Sequence, residues 1–349
     1  MTKKATTSDV ARLAGVSRTT VSFVLNRVQG VHITEETRQR VLEAAQTLNY
    51  YPDATARRMV SGRTQTIGLV LRQNPEQVYA DHFLPGVLNG VSQTAAENGY
   101  HTIFLPIPLD SKISAYTHLL NERHVDGIIL SGPRSDDKEL LAMINEGAPV
   151  VLQGQLPGYD IPSVDVDNVG GARMAAKHLL RLGHRRVALI TNADLSYTAS
   201  QDRLAGYRQA LEEADLPFDP ALVRYGDFTP ASGFRAMNDL LECAPNFTAA
   251  FIASDTIAMG AIQAVRQQGL RIPGDLALVG FDDIAFAEFV DPPLTTVHLP
   301  AFALGKQAAK VLIQLLSTGV LENNRFFLDT SLVVRSSCGA NGQPPQQSR

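Results

Sequence analysis

From Thr66 onward the chain alternates short apolar runs with amphipathic stretches, and it does so twice. "TIGLVLR", "YHTIFLPI", "VDGIILSG" and "PVVLQG" have strand length and are separated by helical segments such as "PGVLNGVSQTAAENG". After "IPSVDVDN" the pattern restarts with "RRVALIT", "LVRYGDF", "AAFIAS" and "LALVGFDD". Strands that are apolar on both faces need cover above and below, which means parallel sheets with helices on each side. Two runs therefore predict two doubly wound α/β subdomains, with a boundary near residues 161–166. Ligands bind such sheets at the carboxyl ends of the strands, so a cleft between the subdomains is the default site.

The residues ahead of this body read differently. "TTSDVARLAG" offers Thr7 or Ser8 as helix N-cap, Val10, Ala11 and Leu13 to bury, and Gly15 as a stop. Ser17 can cap a second helix only two residues later, and so tight a Gly-containing turn is the signature of a helix-turn-helix. "TEETRQRVLEAAQTLNY" gives a third helix with Thr34 as cap, Glu35 and Glu36 in its positive first turn, and Val41, Leu42, Ala45 and Leu48 closing a miniature core. Charge separates the two regions. Residues 1–63 carry ten Lys/Arg against five Asp/Glu, whereas the whole chain has a net charge of −4. A basic head on an acidic body points to a polyanion as the partner of the head alone.

Two cysteines, Cys243 and Cys338, stand far apart, which excludes a disulfide framework or thiolate zinc site and suits a reducing cytoplasm. No secretion signal or bilayer-length apolar run is present in the sequence.

The second helix of the head, "SRTTVSFVLN", has an apolar residue in an odd place. At about 100° per residue Val21, Val24 and Leu25 share one face, while Thr19 and Phe23 fall roughly opposite. In a helix-turn-helix that outer face lies in the DNA major groove. There Arg18 can donate twice to guanine, Thr19 can bond or touch a methyl, and Phe23 can meet a thymine methyl. Ser17, Thr20, Ser22 and Asn26 suit phosphate oxygens, which fix register. The competing reading packs Phe23 on the third helix or on a neighbouring subunit.

"YYPDATARRMVSGRTQTIG" joins head to body. Pro52 ends the preceding helix and Asp53 can cap two turns from Ala54 to Val60, too short to persist alone in water. Arg57 and Arg58 suit phosphates, and Met59 is the bulkiest apolar side chain of the segment. A linker that orders only on contact and a free linker are both consistent with this pattern.

No dinucleotide fingerprint, P-loop, nucleophile elbow or H-E-x-x-H occurs, and the eight histidines are scattered without metal spacing. Neither an enzyme activity, a metal nor a cofactor is expected. Several strand ends nevertheless suit a small polar ligand: Arg203 in "QDRLAGY", Phe228 in "YGDFTPASG", Ser254 and Asp255 in "IASDTIAMG", and Asp282 in "VGFDD". An arginine, a carboxylate and an aromatic plate can hold a sugar or a nucleobase. Each alone also has an ordinary role: Arg203 in a surface ion pair, Phe228 in the core, Asp255 as a helix cap.

"TSDVARLAGVSRTTVSFVLN" followed by "VHITEETRQRVLEAAQTLNYYPDATARRMVSG" resembles the DNA-binding head of the lactose-repressor (LacI/GalR) family. "RLAGY", "GDFTPASG", "ASDTIAMG", "GFDD" and "DPPLTTV" are similar to its effector-binding core, akin to periplasmic binding proteins. The resemblance implies that Arg18, Thr19 and Phe23 read bases, and that Met59 wedges into the minor groove beside its symmetry mate. It also implies that Arg203 and Asp282 are the ligand-binding pair, with Phe228 stacking on the ligand. Ser254 stands where some members have asparagine, and Asp255 is then structural, capping the helix behind it. Tyr79 and Phe83 would form the opposing wall.

The domains so implied are a head at 1–50 and a hinge at 51–65. A first subdomain would span 66–163 plus about 296–324, a second 164–295 plus about 325–339, with a disordered tail at 340–349. The implied molecule is a homodimer on a near-palindromic double-stranded operator, repressing carbohydrate-utilisation genes under a sugar effector. A purine is the alternative ligand, and a binding protein with a vestigial head the alternative class.

Overall fold

The computed structural model describes residues 5–26, 30–51, 62–111, 115–244 and 246–340. They fall into two compact units that divide between Thr64 and Gln65. The first holds α1 (Thr7–Ala14), α2 (Arg18–Leu25) and α3 (Glu35–Thr47). Thr6, rather than Thr7 or Ser8, is the N-cap of α1, and it forms a reciprocal capping box with Asp9. Gly15 ends the helix at φ 66°, a left-handed conformation that costs glycine little. Ser17 caps α2 by accepting from the Thr20 amide, and Thr34 caps α3 by accepting from that of Thr37. Val10, Ala11, Ala14, Val21, Val24, Val41, Ala44 and Ala45 form the head core. Leu13 and Leu42, expected inside, are exposed (54% and 44%). Each lies about 100° of helical arc off the centre of its helix's buried stripe.

The second unit begins with β1 (Thr66–Leu71), α4 (Pro75–Ala80), α5 (Leu84–Glu97), β2 (His101–Pro106), α6 (Ala115–Asn121), β3 (Gly127–Ser131), α7 (Lys138–Asn145), β4 (Val150–Gln153) and β5 (Ser163–Val166). It continues with α8 (Asn168–Arg181), β6 (Val187–Thr191), α9 (Thr198–Glu212), β7 (Val223–Tyr225), α10 (Pro230–Cys243), β8 (Ala249–Ile252), α11 (Asp255–Gln267), β9 (Ala277–Asp282) and β10 (Thr295–His298). The closing elements are α12 (Ala301–Thr318), β11 (Arg325–Leu328) and β12 (Ser331–Val333). The strands form two six-stranded sheets, ordered β11-β5-β4-β3-β1-β2 and β12-β10-β9-β8-β6-β7. Every recorded strand pairing is parallel except β10 with β12. β1, β4, β5, β6, β8 and β9 are buried along their whole length, as strands covered on both faces must be.

The subdomain boundaries differ from those expected. β5 belongs to the first sheet, so the chain crosses at Asp167, the N-cap of α8, and not before residue 164. β10 lies between β9 and β12 in the second sheet, so the second crossing falls after His298. β11 pairs in parallel with β5, which returns residues 325–328 to the first sheet before β12 finishes the second. The pattern of a strand reports its two faces but not its neighbours. β11, with alternate residues exposed, is an edge strand that either sheet could have accepted on pattern alone.

The helix pair α5 and α12 covers the first sheet with its backbones in close approach. A Cβ at Gly90 would lie 2.1 Å from the Phe302 carbonyl oxygen, and one at Gly305 would lie 2.1 Å from that of Val87. Any side chain at either position would force the helices apart. No helix among the described residues is long and apolar enough to cross a membrane.

Candidate functional site

The carboxyl ends of both sheets converge on one cavity with about 110 Å³ of water-accessible space. Strand ends supply most of its polar lining. Gln73 follows β1, Gln153 ends β4, Asp165 lies in β5, Ser254 follows β8 and Asp282 ends β9. Arg203 enters from α9, and Asp81 and Phe83 come from the turn between α4 and α5.

Arg203 is 7% exposed and held from several sides. Its Nε donates to Asn168 Oδ1 at 3.0 Å and its Nη1 to the Ala253 carbonyl at 2.6 Å. The guanidinium carbon sits 3.9 Å from the centroid of the Phe281 ring, a cation–π arrangement. Asp282 Oδ1 lies 3.8 Å from Nη1, an ion pair too long for a hydrogen bond. The guanidinium is thus oriented by neutral partners, while the neighbouring carboxylate can still accept from a ligand. Asn168 also donates to Asp165 Oδ1 at 3.0 Å, so one side chain ties a first-sheet strand to the arginine.

Burial dominates the electrostatics. It pushes the Asp165 carboxyl up to about 7, against the pull of the Val166 amide and Arg203. Burial also raises Asp282, opposed by Arg203 and reinforced by Asp81. Asp81 is raised by the same cause although the Phe83 and Leu84 amides favour its ionised form. Burial lowers Arg203, and its surrounding carboxylates counter that. Desolvation outweighs attraction around a buried pair of this kind.

Phe228 and Asp282 adopt positive φ values of 64° and 121°, conformations that non-glycine residues rarely take and that cluster at ligand sites. The Phe228 ring meets that of Tyr197 edge-on at 5.0 Å. The Tyr197 hydroxyl in turn donates across the cleft to the Arg72 carbonyl at 2.5 Å. Further bonds join the walls, from the Ser135 amide to the Ser196 carbonyl (2.8 Å) and from Gln77 Nε2 to the Asp227 carbonyl (3.1 Å).

Of the residues expected at the site, Arg203, Phe228, Ser254, Asp282 and Phe83 line the cavity. Tyr79 does not. It is 84% exposed, because short helix α4 turns Val78 inward and the next residue points about 100° away. Asp255 also departs from expectation. Ser254 takes the N-cap position of α11, whereas Asp255 accepts from the Ile284 amide (3.1 Å) and the Thr296 hydroxyl (2.7 Å), tying β10 and the turn after β9 together.

Sequence reasoning missed Gln73, Asp81, Gln153, Asp165, Asn168 and Tyr197. Counting every polar residue at a strand's carboxyl end would have found Gln73, Gln153 and Asp165, but Asp81 stands in no motif. Gln73 and Gln153 are 3% and 8% exposed, and the Oε1 of each is buried without a partner. An unsatisfied buried acceptor costs about 1–3 kcal/mol, so each oxygen weakens the wall that carries it. Among the described residues no group of three or more His, Cys, Asp or Glu is arranged to hold a metal ion.

On the head, Arg18 and Thr19 are exposed at the start of α2. Phe23 is half-buried and lies outside the apolar cluster of the three helices. Ser17 and Thr20 bond each other at 2.9 Å, and Asn26 Nδ2 donates to Ser22 Oγ at 3.1 Å. Arg57, Arg58 and Met59 lie outside the described residues, as does the tail from residue 341.

Comparison with known proteins places these features. Residues 6–53 match the model of bacterial regulatory proteins of the lacI family, and residues 176–338 that of a periplasmic binding protein-like domain. The chain is 37% identical over 339 residues to the HTH-type transcriptional regulator CelR of Thermobifida fusca, covering 96% of this chain and 98% of that protein. It is 32% identical over 339 residues to the HTH-type transcriptional repressor PurR of Haemophilus influenzae, covering 95% and 98%. A solved CelR–cellobiose complex matches with a TM-score of 0.74 at 36% identity, over 95% of this chain and 99% of that one. A lac repressor dimer bound to operator and the anti-inducer ONPF matches with a TM-score of 0.83 at 29% identity, over 96% and 99%. The chain therefore belongs to the LacI family of ligand-responsive, DNA-binding transcription regulators.

Proposed function

We propose that the chain represses carbohydrate-utilisation genes, binding a near-palindromic operator as a homodimer and releasing or gripping it according to a sugar in the cleft. The observation that carries the sugar reading is the lining of the cavity. Arg203, Asp282 and Phe228 line one cavity together with side-chain polar groups that suit hydroxyls. The solved CelR complex contains cellobiose, which supports a carbohydrate.

In this reading Arg18, Thr19 and Phe23 meet base edges, and Ser17, Thr20, Ser22, Asn26, Arg57 and Arg58 meet phosphates. Met59 is the minor-groove wedge. Arg203, Phe228, Ser254, Asp282 and Phe83 hold the effector, which biases the two subdomains toward one arrangement and so changes operator affinity. The regulator acts in the cytoplasm, without cofactor or catalysis.

A gel shift on the DNA upstream of its own gene, run with and without cellobiose, other sugars and purines, tests this. A site-specific complex at moderate salt whose stability changes with a sugar is expected. A complex that responds to purines alone would replace the effector, and loss of any site-specific complex would sink the regulator's DNA role.

A further inference from the structure

The loop after β3 and the loop before α9 meet across the cleft. Arg134 and Tyr197 form an isolated antiparallel bridge between them. On either side of it the Ser135 amide donates to the Ser196 carbonyl at 2.8 Å and the Thr198 amide to the Pro133 carbonyl at 3.3 Å. Side chains repeat the pairing, with Thr198 Oγ1 on the Pro133 carbonyl (3.3 Å) and Ser135 Oγ on that of Ser196 (3.2 Å). The Arg134 guanidinium lies 4.6 Å from the centroid of the Tyr197 ring. Two bonds to Asp136 in its own loop, at 2.9 and 2.8 Å, fix that guanidinium as a fork. Its Nη1 reaches Asp194 Oδ2 of the opposite subdomain at 3.5 Å. The Arg134 side chain is 13% exposed although both carboxylates stand more than half in solvent, so the ring holds the cation inward.

The sheet order places this contact away from the chain crossings. The chain crosses from β5 to α8, from β10 to α12 and from β11 to β12, and these strands are the outer two at one edge of each sheet. β3 and β6, which carry the two loops, lie toward the opposite edges. A covalent hinge on one side and a non-covalent clasp on the other enclose the cavity, and Gly132, Pro133, Tyr197 and Thr198 of the clasp line it. Neutral hydrogen bonds and half-exposed ion pairs each contribute little. The clasp can therefore part as a unit without unfolding either subdomain. We propose that the Arg134–Tyr197 clasp is the latch of the cleft: it holds the subdomains closed opposite the hinge, and its opening gives molecules in solution access to the cavity. This goes beyond the sugar reading and concerns the empty protein, whichever effector the cleft takes. Arg134 is a positioning residue that acts through Tyr197. A ligand touching both walls favours the arrangement in which the clasp forms, so each strengthens the other.

Thiol labelling of the full chain, without ligand or DNA, tests the latch. Ser254→Cys puts a thiol in the cavity wall at a position that is 5% exposed, while Cys338, 2% exposed within the apolar core, reports unfolding of the fold itself. Modification by iodoacetamide is followed peptide by peptide. Adding Arg134→Gln should speed labelling at position 254 about tenfold and leave Cys338 unchanged. Tyr197→Phe keeps the ring but removes the hydroxyl that donates to the Arg72 carbonyl, and should speed it about threefold. Arg134→Lys keeps a cation for the ring but loses the fork to Asp136, so its rate should fall between those of Arg134→Gln and the intact clasp. Equal labelling at position 254 with and without Arg134→Gln and Tyr197→Phe would overturn the latch. Acceleration at Cys338 in step with position 254 would overturn it as well, because the substitutions would then be loosening the whole fold.

Discussion

The two walls of the cleft rest on sheets of the same strand order, yet they are finished in opposite ways. In each sheet the second strand of the run sits at one edge, then come the first, third, fourth and fifth, and a late strand closes the other edge. On the second-sheet wall the charged centre is internally supported. Arg203 is held by Asn168, by the Ala253 carbonyl and by the face of Phe281 before any ligand arrives. On the first-sheet wall, Gln73 and Gln153 are buried with an acceptor each left idle. One wall is preorganised and the other is incomplete. Preorganisation lowers the cost of ordering on binding, while an idle buried acceptor leaves the wall that carries it less stable than a fully bonded one.

The largest effect that would sharpen this contrast is expected at Arg203. Arg203→Leu removes the guanidinium opposite Asp282 and Asp165 and strands Asn168 Oδ1, in a place where breaking a buried pair costs about 3–5 kcal/mol. Protonation of the raised carboxyls softens that cost, so a loss near 3 kcal/mol is expected in denaturant unfolding, with sugar binding lost by more than a hundredfold. On the first wall Gln153→Leu removes an idle acceptor and should leave stability level or raise it. Equal stability losses at Arg203 and Gln153 would break the comparison.

Next in size is the response to pH. Burial raises the Asp165 carboxyl from its ordinary 3.8 to about 7, with Arg203 pulling it down and Asp202 pushing it up. The folded, empty protein therefore holds this proton where the unfolded chain has released it. The stabilisation is complete below about pH 4 and is lost as pH rises toward 7. A sugar hydroxyl that donates to the carboxylate favours the ionised form, so binding releases the proton. Calorimetry between pH 6 and 8 should show affinity rising with pH, by at most tenfold per unit for each proton released. Affinity that falls over this range would mean that the ligand accepts from a protonated carboxyl.

The contrast also explains what could be read beforehand. Arg203, Phe228, Ser254 and Asp282 sit in stretches whose residue types suggest ligand contact together, and the preorganised wall is the one that carries them. Gln73 and Gln153 become informative only when burial and the lack of a partner are seen, and neither quantity is a property of a short sequence window. The same limit applies to the fold. Apolar runs such as "TIGLVL" announced buried strands, and Ser17 and Thr34 announced caps, because both are local. The allegiance of β5, β10 and β11 depends on which neighbour each meets, so the crossings at Asp167, after His298 and after Leu328 were displaced.

The smallest expected effect bears on how far the incomplete wall extends. Tyr79 and Phe83 lie four residues apart in sequence, one at the end of α4 and the other in the turn after it, and both have the size of a stacking partner. The fold separates them. Tyr79 stands 84% in solvent, whereas Phe83 is half-buried, lines the cavity and packs against the apolar clusters of both subdomains. A ring that covers a ligand contributes through buried area, about 25 cal/mol per Å², so a partly buried phenylalanine is worth on the order of 1 kcal/mol to binding. Phe83→Ala should therefore weaken the sugar about five- to tenfold, and Tyr79→Ala should leave its affinity within twofold. A twofold limit is tight enough to matter. If Tyr79→Ala weakened the sugar as much as Phe83→Ala, α4 would have to turn inward when ligand binds, and the first wall would be mobile as well as incomplete.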